Sequence, residues 1–331
     1  MFKRHHLLKN FGIDSQRILA NSKVLVIGLG GLGTSACIHL ARSGIGCIGL
    51  MDGDTVDASN LHRQILYKQE DLNLLKTDVA ERECRLANPS VKILNFPYFY
   101  ETFEENANNF QIILDCTDNS KARVLINKTS KQWNVPLIFG SAIGFEGQLA
   151  VFQMDKCLTC LFPNLENWTN EGCHNAGVLG PIPGLIGTLQ AIECIKVLTK
   201  VGDVLDGLLH YDGLNGTFNH IQFDKDEECQ LCYPSNKIPI YNIEKRYEDV
   251  VKDLKRLIID VRETIDSDEE IYGAVQEREI DKIIQICNST DKNVYLLCQI
   301  GEQSRGMVKQ LIDRGVQNCW NIKGGVRQIF K

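Results

Sequence analysis

The sequence predicts an α/β protein: a doubly wound sheet over roughly the first two thirds of the chain, followed by a smaller α/β unit. Three observations carry that expectation. Short β-branched runs alternate with helical patterns. At 331 residues the chain exceeds the usual span of one compact domain. A break containing Pro234, Ser235, Asn236 and Pro239 separates two such alternations.

The elements follow in order. Residues 23–28, KVLVIG, read as a buried strand, and residues 32–42 as the helix after it. Residues 47–52 supply a second strand. Later strands are expected at 91–96, 112–116, 136–139 and 148–153, with a helix at 120–133. A long helix at 184–200 presents Leu185, Leu189, Ile192, Ile195 and Val197 as a broad apolar face. The first domain is thus expected to span 1–234, a linker 235–247 and a second domain 248–331. Landmarks of the second are strands at 257–261 and 293–297, a helix at 304–314 and a Gly324-Gly325 turn.

Composition excludes several classes. Charged residues at 24% and hydrophobic ones at 44% are ordinary for a globular protein, not for a disordered or fibrous one. A net charge of -6 without a basic stripe argues against nucleic acid as a partner. No apolar run is expected to cross a bilayer, and the start of the chain lacks the pattern of a signal peptide, so no membrane partner and a cytoplasmic address are expected. Thirteen cysteines, an odd number, argue against a fully paired disulfide framework. Cys37, Cys47, Cys84, Cys116 and Cys194 fall in apolar or periodic stretches and read as small buried hydrophobes.

Two patterns carry chemistry. Gly28, Gly30 and Gly33, with Gly31 between them, make a G-x-G-x-x-G turn between a strand and a helix, where backbone amides and the helix dipole face a phosphate. Asp52, ending the next strand, stands where an acidic residue takes ribose hydroxyls. The turn fits a dinucleotide or ATP, and it also fits a purely structural glycine turn. No G-x-x-x-x-G-K-[ST] sequence occurs, so an ATP site here is not of the P-loop kind. The second pattern is a pair of C-x-x-C motifs, Cys157 with Cys160 and Cys229 with Cys232, whose four thiolates complete a tetrahedral zinc site. The competing reading is a redox pair, which usually sits between a strand and a helix.

Further motifs surround these: Asp52-Gly53-Asp54-Thr55-Val56, Ser59-Asn60-Leu61-His62-Arg63-Gln64, Lys76, Leu114-Asp115-Cys116-Thr117-Asp118-Asn119, Gly147-Gln148 and Gly184-Leu185-Ile186-Gly187-Thr188-Leu189-Gln190-Ala191. With the glycine turn and both C-x-x-C pairs, they make the first 232 residues resemble the ThiF/MoeB family, relatives of the ubiquitin-activating enzymes. The resemblance implies a Rossmann-like doubly wound adenylating domain with a structural zinc site. It implies ATP-dependent adenylation of the C-terminal glycine of a small ubiquitin-like sulfur-carrier protein of the ThiS/MoaD kind, with Mg2+.

Such a reaction brings a carboxylate against a phosphate, so positive groups must converge there. The resemblance matches Arg63 and Lys76 to phosphate-binding residues, Asn60 to a further phosphate contact and Asp118 to the magnesium-binding aspartate. A solvated basic face is the plain alternative for Arg63 and Lys76, and a helix N-cap is the alternative for Asp118. Arg4 matches an arginine that reaches the nucleotide of a neighbouring subunit, which implies a homodimer. Cys173, in the loop Glu171-Gly172-Cys173-His174-Asn175-Ala176-Gly177, matches a cysteine that attacks the acyl-adenylate or links to the carrier through sulfur. An incidental exposed thiol is the alternative there.

The C-terminal stretch carries Asp260-Val261-Arg262-Glu263, Gly273-Ala274, the loop Cys298-Gln299-Ile300-Gly301-Glu302-Gln303-Ser304, and Gly324-Gly325. These residues resemble a small rhodanese-like α/β domain. Cys298, at a strand end before a helix, then holds a persulfide ringed by backbone amides. Two positions depart from the family: Gln299 replaces its usual basic residue, and Gln303 precedes Ser304. Arg305 is the candidate replacement charge. Both an active sulfurtransferase, fed by a donor such as a cysteine desulfurase, and a non-catalytic docking domain fit this pattern. The thiamine, molybdopterin and tRNA-thiolation routes all suit the combination of domains. A nicotinamide-dependent oxidoreductase is the alternative for the whole chain, and Arg63, Lys76, Asp118 and the paired cysteines argue against it.

Overall fold

Lys23–Ile27 forms strand β1, in which the four residues after Lys23 are all buried. Its side chains alternate between two cores, Val24 and Val26 facing one and Leu25 and Ile27 the other, so helices must cover both faces. This computed structural model describes residues 1–97, 103–104, 106–153, 155–163, 165, 177–229, 231–232, 244–262, 271, 273–299 and 302–329. It divides into two units, Met1–Asn236 and Lys237–Lys331.

In the first unit the remaining strands are β2 Cys47–Met51, β3 Lys92–Phe96, β4 Ile112–Asp115, β5 Leu137–Ile143, β6 Glu146–Phe152, β7 Leu208–Asp212 and β8 Thr217–Ile221. They lie in the order β3-β2-β1-β4-β5-β6-β7-β8. Pairing is parallel from β3 to β5 and antiparallel from β5 to β8. Ile27 is level with both Met51 and Asp115, so β1, β2 and β4 end together. The chain leaves β1 for β2 on one side and later returns to β4 on the other. That reversal opens a crevice at the carboxyl ends of the strands, the usual ligand position in such sheets.

The helices Gly31–Ser43 and Pro181–Thr199 cover one face, contributing Ala36, Leu40, Ile186 and Cys194 to its core. Ser120–Trp133 covers the other with Ala122 and Ile126. Pro181–Thr199 is by length and composition alone apolar enough for a membrane span, although Gln190, Glu193 and Lys196 interrupt it, so the expectation of no uninterrupted apolar run is unchanged. Its packing accounts for that character: the helix lies on the sheet, Ser35 Oγ donates to Gly184 O at 2.9 Å, and Gln190 is fully buried. It also starts earlier than expected, with Pro181 at the first helical position, where a missing N–H costs nothing.

The second unit is an all-parallel sheet in the order β11-β10-β12-β13-β9. Its strands are β9 Glu244–Lys245, β10 Arg256–Asp260, β11 Val275–Gln276, β12 Asn293–Leu297 and β13 Cys319–Ile322. Ile259, Val294 and Leu296 face a core shared with the helices Ile280–Ser289 and Glu302–Asp313, while Ile258, Tyr295 and Leu297 face the opposite core. β9 falls inside the expected 235–247 linker. Its pairing with Asn321 and Ile322 of β13 makes Glu244–Lys245 part of the second sheet. The order reverses between β10 and β12, so this sheet too has a switch point at its carboxyl edge.

Candidate functional site

Gly28 follows β1 with φ 86°, and a Cβ there would lie 2.7 Å from Cys116 O, so only glycine lets the turn lie against the end of β4. A Cβ on Gly33 would collide with Gly28 O, which explains how the helix packs onto the turn. Gly30 precedes the helix without a side-chain cap, and Gly31 begins it. The first-turn amides are thus available to an anion. Gly31 also lies against Arg63: a Cβ at Gly31 would come 3.3 Å from Arg63 O.

Asp52 is held at the turn by two backbone donors. Its Oδ2 accepts from Leu29 N at 2.6 Å, and its Oδ1 accepts from Asp54 N at 2.8 Å. Burial pushes the Asp52 carboxyl above the usual carboxylate range, against the opposing pull of the Lys76 ammonium. Lys76 opens the helix Lys76–Ala87 and is only 6% exposed. Its Nζ donates to Asp54 Oδ2 at 2.8 Å, and its backbone N donates to Asp54 O at 3.0 Å. The solvated basic face is therefore not where Lys76 lies. Arg63 donates through Nη1 to Ser59 O at 2.9 Å and meets His62 Nε2 at 2.9 Å. Asn60 closes a capping box, its Oδ1 accepting from Asp57 N at 3.4 Å.

On the other side of the turn, Asp115 is fully buried at the end of β4. Its Oδ1 accepts from Thr117 N at 2.9 Å and from Thr117 Oγ1 at 2.7 Å. Arg123, from the helix Ser120–Trp133, places Nε 3.9 Å from Asp115 Oδ2 and donates through Nη2 to Thr117 O at 2.8 Å. Its guanidinium lies 4.9 Å from the centre of the Phe139 ring. Burial raises the Asp115 carboxyl above the usual range, and Arg123 opposes that shift. The pair fixes the turn that ends in Asp118. Asp118 is exposed, and the N-cap of Ser120–Trp133 is Asn119, whose Oδ1 accepts from Ala122 N at 2.8 Å. The capping alternative for Asp118 is thereby removed.

Three residues without a role in the sequence reading help build this edge. Tyr67 Oη donates to Leu29 O at 2.8 Å. Gln190 donates to Asp115 O at 2.8 Å and Ile138 O at 3.1 Å. Gln64 is buried, and its Oε1 has no hydrogen-bond partner among the described residues. Gln64 and Gln190 sit within the quoted motifs. Tyr67, four residues after Arg63, carries no signal beyond a polar handle on an aromatic ring.

The four cysteines of the paired motifs come together. Cys157 Sγ lies 3.9 Å from Cys160 Sγ and 3.6 Å from Cys229 Sγ, and Cys160 Sγ lies 3.5 Å from Cys232 Sγ. All four sulfurs lie within 4.8 Å of one another. Zinc bonded to four thiolates at about 2.3 Å sets sulfur–sulfur edges of about 3.8 Å, so the donor set fits. Asn127 anchors the first pair, its Oδ1 accepting from Leu158 N at 3.0 Å. Burial, with the neighbouring Cys157, pushes the Cys229 thiol up to about 11, while against its own burial hydrogen bonds hold Cys160 below the ordinary thiol range; a bound cation would favour the ionised form of all four.

Arg4 lies exposed on the short helix Lys3–His6, and Cys173 falls outside the described residues. In the second unit Cys298 follows β12 and is buried, its Sγ 3.4 Å from Ser304 N and 3.2 Å from Ser304 Oγ. At the adjacent end of β10, Arg262 pairs with buried Asp260 at 2.8 Å and donates to Gln299 Oε1 at 3.4 Å. Arg262 thus places a cation beside Gln299.

The comparisons with known proteins agree with this architecture. The model of the ThiF family matches residues 2–231. Sulfur carrier protein ThiS adenylyltransferase of Escherichia coli (strain K12) is 37% identical, over 72% of this chain and 97% of its own length. Adenylyltransferase and sulfurtransferase MOCS3 of Caenorhabditis briggsae is 31% identical, over 99% of this chain and 93% of its own. The chain spans about half the length of the two Zea mays relatives it matches. Among solved structures, E. coli MccB with ATP aligns with a TM-score of 0.58 at 21% identity, covering 66% of this chain and 69% of that one, a likeness of fold.

Proposed function

This chain belongs to the ThiF family, and on that premise we propose that it adenylates the C-terminal glycine of a small ubiquitin-like sulfur-carrier protein and supports conversion of that end to a thiocarboxylate. The observation that carries the reading is the convergence of Lys76, Asp52 and the glycine-turn amides at one sheet edge. A carrier carboxylate oxygen attacks the α-phosphorus of ATP, the bond to the bridging oxygen breaks, and pyrophosphate leaves. Asp52 takes the ribose hydroxyls, the amides at Gly30 and Gly31 face phosphate, and Asn60, Arg63 and Lys76 offset its growing charge. Asp118 would hold magnesium together with substrate phosphates, and bound magnesium neutralises phosphate charge.

Cys157, Cys160, Cys229 and Cys232 are assigned to structural zinc on the fit of their sulfurs. In a homodimer Arg4 serves the partner subunit's nucleotide. The second unit is assigned as rhodanese-like, with Cys298 loaded by a donor such as a cysteine desulfurase. Its persulfide attacks the acyl-adenylate carbonyl and AMP leaves. A second thiol, assigned to Cys173, then attacks Cys298 Sγ of the acyl disulfide, forming a disulfide with it and releasing the thiocarboxylate, and a dithiol reductant restores both thiols. That chemistry requires free thiols, which supports a reducing, cytoplasmic setting for the proposed reaction.

ATP–pyrophosphate exchange tests the first half. Exchange that appears only with a carrier ending in Gly-Gly supports the proposal. Recovery of bound NAD, with no exchange for any ubiquitin-like carrier, would contradict it.

A further inference from the structure

We propose that Asn321 is a positioning residue that competes with the Cys298 sulfur for the single Ser304 hydroxyl proton, and thereby sets how readily that sulfur works as an anion. The proposal rests on reading Cys298 as the sulfur-bearing nucleophile. Ser304 Oγ lies 3.2 Å from Cys298 Sγ and 2.6 Å from Asn321 Oδ1. A hydroxyl has one proton to donate, and here it faces two acceptors. Relative exposures of 2%, 0% and 0% for Cys298, Ser304 and Asn321 leave no bulk water to make up the difference.

Each partner is fixed by a different element. Cys298 follows β12, Ser304 lies in the first turn of the helix Glu302–Asp313, and Asn321 lies in β13 level with Leu296 of β12. The competition therefore needs only rotation about the serine Cβ–Oγ bond. A neutral thiol is a weak acceptor, so with sulfur protonated the proton goes to Asn321 at the shorter distance. A sulfur anion, as thiolate or persulfide, makes a charge-assisted bond about twice as strong and draws the hydroxyl over. The Ser304 backbone N–H, 3.4 Å from the sulfur, is available in both states.

Among the described residues, the charged groups on elements beside Cys298 include the Arg262–Asp260 pair at the end of β10, Arg305 beside Ser304 on the helix, and Lys323 on the turn before Val326, whose N donates to Cys298 O at 3.0 Å. The thiols of Cys287 and Cys319 share the same core. All of these are common to the variants that test the idea.

The experiment is the pH profile of iodoacetamide alkylation of Cys298 in the full chain, read on peptide 293–305, where Cys298 is the only cysteine. Ultraviolet thiolate absorbance, taken as the difference from Cys298→Ser, reads the same ionisation without a reagent. Ser304→Ala should move the midpoint upward by about one pH unit, the scale of a lost charge-assisted bond. Asn321→Leu, which frees the hydroxyl, should move it downward, and Asn321→Asp, which binds the hydroxyl more tightly and adds negative charge, upward. In the Ser304→Ala background Asn321→Leu should have no effect. A midpoint unmoved by both Asn321 variants, an upward shift for Asn321→Leu, or a leucine effect that survives in that background overturns the proposal. Transfer of sulfur from thiosulfate is measured in parallel. If the parent transfers none while the midpoints move as stated, the sulfur-transfer reading has failed and the competition for the proton stands.

Discussion

The glycine turn of the first unit and the Cys298 turn of the second occupy equivalent places, each at the carboxyl edge of a sheet where strand order reverses. Their materials are opposite. The first gathers open backbone amides, a lysine, an arginine and carboxylates, with Asp118 exposed and the Asp54 side chain 73% exposed to solvent. At the second, a buried sulfur meets a hydroxyl and an amide, and the guanidinium beside Gln299 is paired with Asp260. The contrast matches the task proposed for each site. A polyanionic nucleotide needs positive charge it can reach, whereas a reactive sulfur needs shelter from water and stray oxidants.

The largest expected effect breaks the support beneath the first site. Arg123→Leu leaves the Asp115 carboxylate buried without its guanidinium and should cost about 3–5 kcal/mol in denaturant unfolding of the first unit. The sign with pH is specific. Burial already raises the Asp115 carboxyl, so the folded chain holds that proton at higher pH than the unfolded chain does. Losing Arg123 raises it further, so the deficit should be greatest at neutral pH and shrink as pH falls through the raised value. A pH-independent deficit would show that packing, not charge, was lost.

Next in size is Lys76→Ala, which removes the ammonium from the turn. Carrier-dependent exchange should drop by about 10²–10³-fold, the scale for removing one preorganised donor. The alkylation profile of Cys298 serves as the control and should not move. Smallest is Tyr67→Phe, which leaves Leu29 O without its hydroxyl donor. A loss of about 1 kcal/mol in stability is expected, with nucleotide affinity lowered a few-fold in a binding titration. An unchanged affinity would place Tyr67 in the fold but not in the shaping of the turn.

The two regions were unequally legible in the sequence. The glycine turn and Asp52 were readable because a close backbone approach admits only glycine and a parallel strand needs an unbroken apolar run, whereas Lys76 came only with the family resemblance, since a lone lysine in a polar stretch reads as a solvated face. β12 was found at its observed limits for the same reason: Val294 to Leu297 are all buried. β8 was missed because every one of its residues is exposed, so it has no alternation of apolar and polar residues to read. Arg123 and Asn321 were missed for another reason. Their contacts depend on partners brought close by the fold, Asp115 at a helix start for Arg123 and Ser304 on a helix packed beside β13 for Asn321, and neither contact leaves a local pattern.

The most direct measurement follows both sites in one reaction. The full chain is incubated with ATP, magnesium, a sulfur donor and a carrier ending in Gly-Gly, and the carrier is then weighed by mass spectrometry. The parent should give the thiocarboxylate, and Cys298→Ser should stop at the adenylate with pyrophosphate exchange retained. Thiocarboxylate formed equally well by Cys298→Ser would contradict a sulfur-transfer role for the second site.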